Sequence, residues 1–112
     1  MIKKNILTGI AASPGIVKGI VRVVLSDDDI KNFPENAVLV TEITNPSMVM
    51  IMARSAAIVT NKGGITSHPA IVSRELGIAC VVSTKTATEN LSNGDLVEVD
   101  GSKGKVKLIS KK

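Results

Sequence analysis

The chain has 112 residues, 44% of them apolar and 21% charged, which is enough for one folded domain with its own core and too apolar for a disordered segment. Its net charge of +4 comes from the last ten residues, and with one aromatic residue it lacks a stacking platform for nucleic-acid bases. With one cysteine, one histidine and no apolar run of about 20 residues, it can form no internal disulfide, histidine cluster or apolar membrane-spanning helix. We therefore expect one cytoplasmic domain, residues 1–112, that binds neither nucleic acid nor membrane.

The first third of the chain predicts two strands and a short helix. Ile6–Ala12 and Ile16–Leu25 are apolar and rich in β-branched residues, and Ser13-Pro14-Gly15 between them predicts a hairpin turn. The acidic run Asp27–Asp29 favours the start of a helix, where the helix dipole stabilises negative charge.

The middle of the chain alternates strands with helices. Apolar runs predict strands at Ala37–Thr41, Ala56–Thr60 and Ala79–Val82. Asn45-Pro46 has the residues of a helix cap and first helical position, and a second helix of about ten residues ends at Gly77. The helix after Pro46 is predicted to be well buried because it is apolar on nearly every side. Its apolar residues are Met48, Val49, Met50, Ile51 and Met52.

The last part of the chain predicts a helical turn at Thr86–Leu91 and two strands. Asp95–Val99 and Lys105–Ile109 alternate in polarity and are joined around Asp100-Gly101. The five lysines of residues 103–112 indicate a lysine-rich edge strand followed by a frayed tail. Together the elements predict a compact α/β domain with a mixed sheet.

The segment that carries chemistry lies between the predicted strand Ala56–Thr60 and the helix that ends at Gly77. Gly63 and Gly64 let a ligand approach the backbone, and the hydroxyls of Thr66 and Ser67 can donate to phosphate oxygens. His68 follows directly, so its ring stands at a helix start, where partial positive charge favours the uncharged, nucleophilic imidazole. This pattern predicts a phosphate-accepting histidine.

Two neighbours of His68 refine that prediction. Pro69 suits the first helical turn and disfavours helical backbone in the residue before it, which places His68 at or just before the cap. Arg74 could reach back one turn, and its guanidinium suits phosphate oxygens, so we expect it to support a phosphate. From residue types alone a simple capping histidine and an ordinary glycine turn remain alternatives. The run is not a Walker loop.

Thr44–Val82 resembles the phosphohistidine, or swivelling, domain of phosphoenolpyruvate-utilising enzymes. The family pattern is roughly GG-x-TSH-x-A-I-x-[AS]-R-E-x-G-I, and Gly9–Val21 and Asn93–Val106 resemble the family's opening and closing segments. Asn45-Pro46 resembles the synthase and dikinase branch more than enzyme I of the sugar phosphotransferase system. The identities are Gly63, Gly64, Thr66, Ser67, His68, Ala70, Ile71, Ser73, Arg74, Glu75, Gly77 and Ile78.

The resemblance implies a compact swivelling domain with β/β/α layers, in which His68 is transiently phosphorylated. It implies partner domains or subunits: an ATP-grasp domain that holds ATP and Mg²⁺, and a (β/α)₈ barrel that handles pyruvate and phosphoenolpyruvate. We expect no cofactor or metal on this chain, which is a phosphotransferase component and incomplete alone. Thr66 matches a threonine that a regulatory kinase modifies in plant-type dikinases. Pro69 and Ala79 depart from the family's alanine and proline, and Cys80 is expected to pack in the core.

Two alternatives remain at the level of sequence. The carrier could serve a related phosphotransferase with another acceptor, or the chain could be a non-catalytic module that docks through Met48, Met50 and Met52. The initiating Met1 and the lysine tail mildly favour a free-standing chain over an excised domain. The acceptor, the partner chains, the oligomeric state and regulation at Thr66 are open.

Overall fold

A computed structural model describes residues 5–112, and this part of the chain contains eight strands and four short α-helices. The strands are β1 (Ile6–Thr8), β2 (Ile10–Ser13), β3 (Ile16–Val24), β4 (Val38–Thr41), β5 (Ala57–Thr60), β6 (Ala79–Val82), β7 (Leu96–Asp100) and β8 (Lys105–Ser110). The helices are α1 (Asp27–Lys31), α2 (Val49–Arg54), which follows a 3₁₀ turn at Pro46–Met48, α3 (His68–Leu76) and α4 (Ala87–Asn90).

The strands form one mixed sheet in the order β1-β8-β7-β3-β4-β5-β6-β2, which confirms the expected α/β class. Strands β3, β4, β5 and β6 are parallel, with Val21 opposite Val38 and Val38 opposite Ala57. All other neighbours are antiparallel. Because β3, β4 and β5 are parallel, their carboxyl ends lie side by side, and the loops that follow them meet there.

Both faces of β4, β5 and β6 are buried, which explains why their sequences are continuously apolar rather than alternating. Val38, Val40 and Val59 pack with β7 and β8 on one face. Leu39 and Ile58 pack on the other face with side chains of α2 and α3. Strands β1, β7 and β8, the strands β2 to β6, and helices α1 to α3 therefore form three layers, the β/β/α arrangement that the family resemblance implied.

The two ends of the sheet are adjacent in sequence, because β1 and β2 are separated by Gly9 alone. The sheet therefore curls, and the β7–β8 turn packs against the β2–β3 connection through a bond from Gly101 N–H to the Gly15 carbonyl, 2.8 Å. A side chain at Gly101 would overlap the Ser13 carbonyl oxygen. Only glycine permits this close approach.

The predicted N-terminal hairpin is wrong. Ile6–Ala12 is divided at Gly9 into β1, which pairs with β8, and β2, which pairs with β6. Strand β3 pairs with β4 and β7 instead of β2. A Ser-Pro-Gly sequence signals a turn, but the register of the flanking strands depends on distant partners that have no local signature.

The C-terminal segment is also different from the prediction of an edge strand with a frayed tail. Strand β8 lies between β7 and β1, so it is not an edge. The tail is held by Asp95, whose carboxylate accepts from Lys111 Nζ at 2.9 Å and from Lys112 N–H at 3.1 Å. Lys105 and Lys107 do face solvent, as their alternation indicated.

Helix α2 is less buried than its composition suggested. Ile51 and Met52 are buried, but 77% of Met50 is exposed and Val49 is also exposed. Because Met48 and Met52 lie in the core, a docking surface made of the three methionines does not exist, and that alternative is wrong in this form. None of the helices within residues 5–112 is long and apolar enough to cross a membrane.

Candidate functional site

His68 is the first residue of α3, at the junction between the loop that follows β5 and the helix. Ser67 is the N-cap, with extended backbone (φ −73°, ψ 163°), and its carbonyl accepts from Ile71 N–H at 3.0 Å. The sequence placed His68 at or just before the cap; it lies one position further into the helix. The proline rule disfavours helical backbone before Pro69 but does not forbid it in the first turn.

One nitrogen of the half-buried His68 ring has a defined partner. Its Nδ1 lies 2.8 Å from the hydroxyl Oγ1 of Thr44, a buried residue in the loop that follows β4. A neutral imidazole carries one proton, so the partner of one nitrogen determines the state of the other. If Nδ1–H donates to Thr44, Nε2 keeps its lone pair.

The two glycines before His68 have different surroundings. Gly63 has φ +115°, and a Cβ at this position would lie 2.8 Å from Ser67 Oγ. Gly64 has nothing within 4 Å of such a Cβ. Gly63 is therefore required by the loop itself, whereas the space beside Gly64 is open to an approaching group.

The side chains of Ser67 and Arg74, which were predicted to support phosphate, bind backbone carbonyls instead. Ser67 Oγ donates to the Gly64 carbonyl at 2.7 Å, and Thr66 is exposed. Arg74 does reach back, but its guanidinium donates to the carbonyls of Ile65, at 2.7 Å, and Ala12, at 2.9 Å. Arg74 thus fixes the loop before His68 to β2, and its contact with phosphate stays a prediction.

Sequence reasoning missed Thr44 and Asn61, which the fold brings to the same edge as His68. Thr44 follows β4 and Asn61 follows β5, two neighbouring parallel strands. Polar residues just after such strands meet at the carboxyl edge of the sheet, where ligands bind in α/β folds. That signal was present in the sequence, but it requires knowing that β4 and β5 are parallel neighbours.

Cys80 lies in the core, as expected. Burial raises the pKa of its thiol to about 11, against smaller lowering effects from the Ser73 hydroxyl and the Arg74 guanidinium. The thiol is therefore protonated at neutral pH and unreactive. The described residues contain no group of three His, Cys, Asp or Glu side chains that could hold a metal ion.

Comparison with known proteins gives the geometry a family context. The family model of the PEP-utilising enzyme mobile domain matches residues 33–104. The chain is 56% identical over 101 residues to the phosphoenolpyruvate synthase of Pyrococcus furiosus, a match that covers 90% of this chain and 12% of the synthase. It is 54% identical over 101 residues to a probable phosphoenolpyruvate synthase of Archaeoglobus fulgidus, covering 90% of this chain and 13% of that protein.

A solved structure agrees with these relatives. The solution structure of an Enzyme I protein (nEIt) superimposes with a TM-score of 0.62 at 33% identity, over 71% of this chain and 33% of that chain. The chain spans only about an eighth of the length of the two synthases, since the matches cover 12% and 13% of them. The fold, the GGITSH loop and these relatives together place the chain in the family of mobile domains of PEP-utilising enzymes.

Proposed function

We propose that the chain is a phosphoryl carrier in which Nε2 of His68 accepts a phosphoryl group and passes it on. In this proposal the group moves between a phosphoenolpyruvate-binding barrel partner and a nucleotide-binding ATP-grasp partner. The observation that carries it is the contact of His68 Nδ1 with Thr44 Oγ1 at a helix start, in a chain of this family. The contact engages one nitrogen and leaves the other for the reaction.

The transfer from phosphoenolpyruvate is a displacement at phosphorus. The Nε2 lone pair forms the N–P bond while the P–O bond to the enolate breaks, and the enolate takes up a proton at its methylene carbon to give pyruvate. The ring gains positive charge as it attacks. Its Nδ1–H, donating to Thr44 Oγ1, becomes a stronger donor at that moment, so this hydrogen bond stabilises the product state more than the ground state.

The surroundings of His68 suit a docking partner. Large apolar side chains on both sides of it in sequence, Ile65 and Ile71, are exposed. About a third of Ile43 is exposed, and this residue lies close to the loop, since its Cδ1 would be 3.3 Å from a Cβ on Gly63. Exposed apolar residues grouped around a reactive side chain are typical of a surface that is covered by another protein during reaction.

The direct experiment transfers label to the chain. The protein is mixed with labelled phosphoenolpyruvate and a phosphoenolpyruvate synthase from which its own mobile domain has been deleted. We expect acid-labile, base-stable label on the wild type and none on His68→Ala. The positive control is the same synthase with its mobile domain restored. If that domain takes up label and the wild-type chain does not, the proposal is refuted for this donor. Pyruvate-dependent loss of the label then tests whether pyruvate is an acceptor.

The role of Thr44 is tested separately by Thr44→Val, which removes the hydroxyl at nearly constant volume. A hydrogen bond contributes about 1 kcal/mol, so the ratio of ring tautomers should change roughly fivefold and the labelling rate should fall by a similar factor. The tautomer ratio is measured from the imidazole ¹⁵N shifts, which are unambiguous because the chain has one histidine. An unchanged ratio would show that Thr44 does not select the tautomer.

A further inference from the structure

Asn61, the residue that follows β5, has a side chain whose polar groups are all satisfied although it is buried. Its Nδ2 donates to Glu42 Oε2 and to Thr88 Oγ1, both at 2.7 Å, and its Oδ1 accepts from Thr88 N–H at 3.1 Å. Only 5% of the residue is exposed. A buried amide with every donor used has one orientation, because any other would leave polar atoms without partners.

The backbone around Asn61 joins the same segments. Asn61 N–H donates to the Thr41 carbonyl at 3.1 Å, and Lys62 N–H donates to the Glu42 carbonyl at 3.0 Å. On the other side, Lys85 N–H donates to the Asn61 carbonyl at 2.9 Å. Residues 61–62 therefore remain hydrogen-bonded to residues 41–42 just beyond the ends of β5 and β4.

The bonds of Asn61 and Lys62 join the loop that carries Thr44 to the loop that carries His68, and the contact of those two residues defines the site. Glu42 precedes Thr44 by two residues, and Asn61 precedes the Gly63 turn that leads to His68. The Asn61–Glu42 bond thus links the two loops through side chains just before they diverge toward Thr44 and His68. Glu42 also meets Lys62 Nζ at 3.5 Å, but 70% of that lysine side chain is exposed, and such a surface pair holds its partners weakly.

We propose that Asn61 is a positioning residue for phosphoryl transfer: through Glu42 it fixes the loop after β4 relative to the loop after β5, and so holds Thr44 Oγ1 against His68 Nδ1. The inference rests on the proposed role of His68 as acceptor. It adds that the tautomer of the ring depends on a side chain that does not touch it.

Two variants break the bond between Asn61 and Glu42, and a third keeps it. Asn61→Asp has the same shape but loses both Nδ2 donors and places a second carboxylate beside Glu42. Glu42→Ala removes the acceptor from the exposed side, where a change is compatible with folding. Glu42→Gln keeps a side-chain oxygen that can accept the bond.

The matched control is Thr84→Val, which removes a buried hydroxyl bond to the Thr60 carbonyl, 2.9 Å long, beside Asn61 but outside the Asn61–Glu42 link. Each variant is studied as the whole chain. The measurements are the His68 tautomer ratio from ¹⁵N shifts, the rate of labelling by phosphoenolpyruvate, and the thermal midpoint.

We expect Asn61→Asp and Glu42→Ala to change the tautomer ratio up to about fivefold, the factor that one hydrogen bond supplies. The labelling rate should fall by a similar factor at most, because the effect on the reaction passes through the Thr44–His68 contact. Glu42→Gln should restore both, and Thr84→Val should lower the thermal midpoint only.

If Asn61→Asp and Glu42→Ala lower stability but leave the ratio and the rate unchanged, Asn61 is a structural residue and the inference is overturned. If the wild type takes no label, the proposed function fails instead. The tautomer ratios then still decide whether Asn61 positions the ring, so the two failures are distinguishable.

Discussion

Replacing Gly63 by alanine tests whether the loop before His68 depends on the special backbone of that one residue. Gly63 has φ +115°, a region in which L side chains are strained, and an added Cβ would lie 2.8 Å from Ser67 Oγ. Gly64 is its matched control, because it has a negative φ and nothing lies within 4 Å of an added Cβ.

The expected magnitude follows from the two surroundings. A non-glycine residue held in such a backbone conformation costs about 1–3 kcal/mol. For a domain of this size each kcal/mol lowers the thermal midpoint by about 4 °C, so Gly63→Ala should lower it by about 4–12 °C. Gly64→Ala should raise stability by about 0.4–1 kcal/mol, because it restricts the unfolded chain without strain in the folded one.

Thermal and urea unfolding of the two variants measure these differences, and the labelling assay shows whether His68 is still presented. We expect Gly63→Ala to label more slowly, since the Ser67 hydroxyl must move and Ser67 is the cap of α3. Equal midpoints for the two alanine variants, or a lower midpoint for Gly64→Ala, would contradict the strain assigned to Gly63.

Three further predictions concern residues away from the loop. Burial acts to raise the pKa of Asp95, but bonds from Ser92 N–H, Lys111 and Lys112 N–H lower it below its ordinary value of 3.8. The stability that Asp95 contributes is therefore complete above that value and lost as the pH falls through the lowered pKa. In urea unfolding, Asp95→Asn should be less stable than wild type at neutral pH, and the difference should shrink below about pH 4; a constant difference would contradict this. With a pKa of about 11, the Cys80 thiol should react with a disulfide reagent only when the chain unfolds, and rapid reaction of the folded protein would show that it is accessible. Met52→Ala should cost about 2–5 kcal/mol in urea unfolding because the side chain is fully buried, whereas exposed Met50→Ala should change stability by less than about 0.5 kcal/mol; equal effects would contradict the assigned burial.

Local features of the chain were predictable because their causes are local. The acidic run at Asp27–Asp29, the cap at Asn45 and the left-handed residue Gly77 lie at helix ends as their side chains or backbone freedom require. The continuous apolar runs gave β4, β5 and β6. The loop that presents His68 at a helix start was also predictable, since Gly63 and Pro69 act on the backbone next to them.

Sequence periodicity could not give the partners of the outer strands. An alternating pattern shows which face of a strand is buried but not which strand lies beside it, and the hydrogen bonds that decide this join residues far apart. The division of Ile6–Ala12 at Gly9 and the internal position of β8 therefore emerged only from the strand pairing of the folded sheet. The ordered tail has the same explanation, because Asp95, just before β7, binds Lys112, just after β8, and the two are 17 residues apart in sequence.

By itself, the sequence determined that this is an α/β domain with one histidine at the start of a helix, preceded by glycines and hydroxyls, because those are properties of neighbouring residues. Only the tertiary structure decided which nitrogen of His68 is engaged, that Arg74 binds backbone carbonyls, and that Asn61 links the loops. The contacts of His68 and Asn61 depend on parallel strands β4 and β5 lying side by side, so that residues distant in sequence meet at their carboxyl ends. The Arg74 contact depends on β2 lying beside β6 under α3.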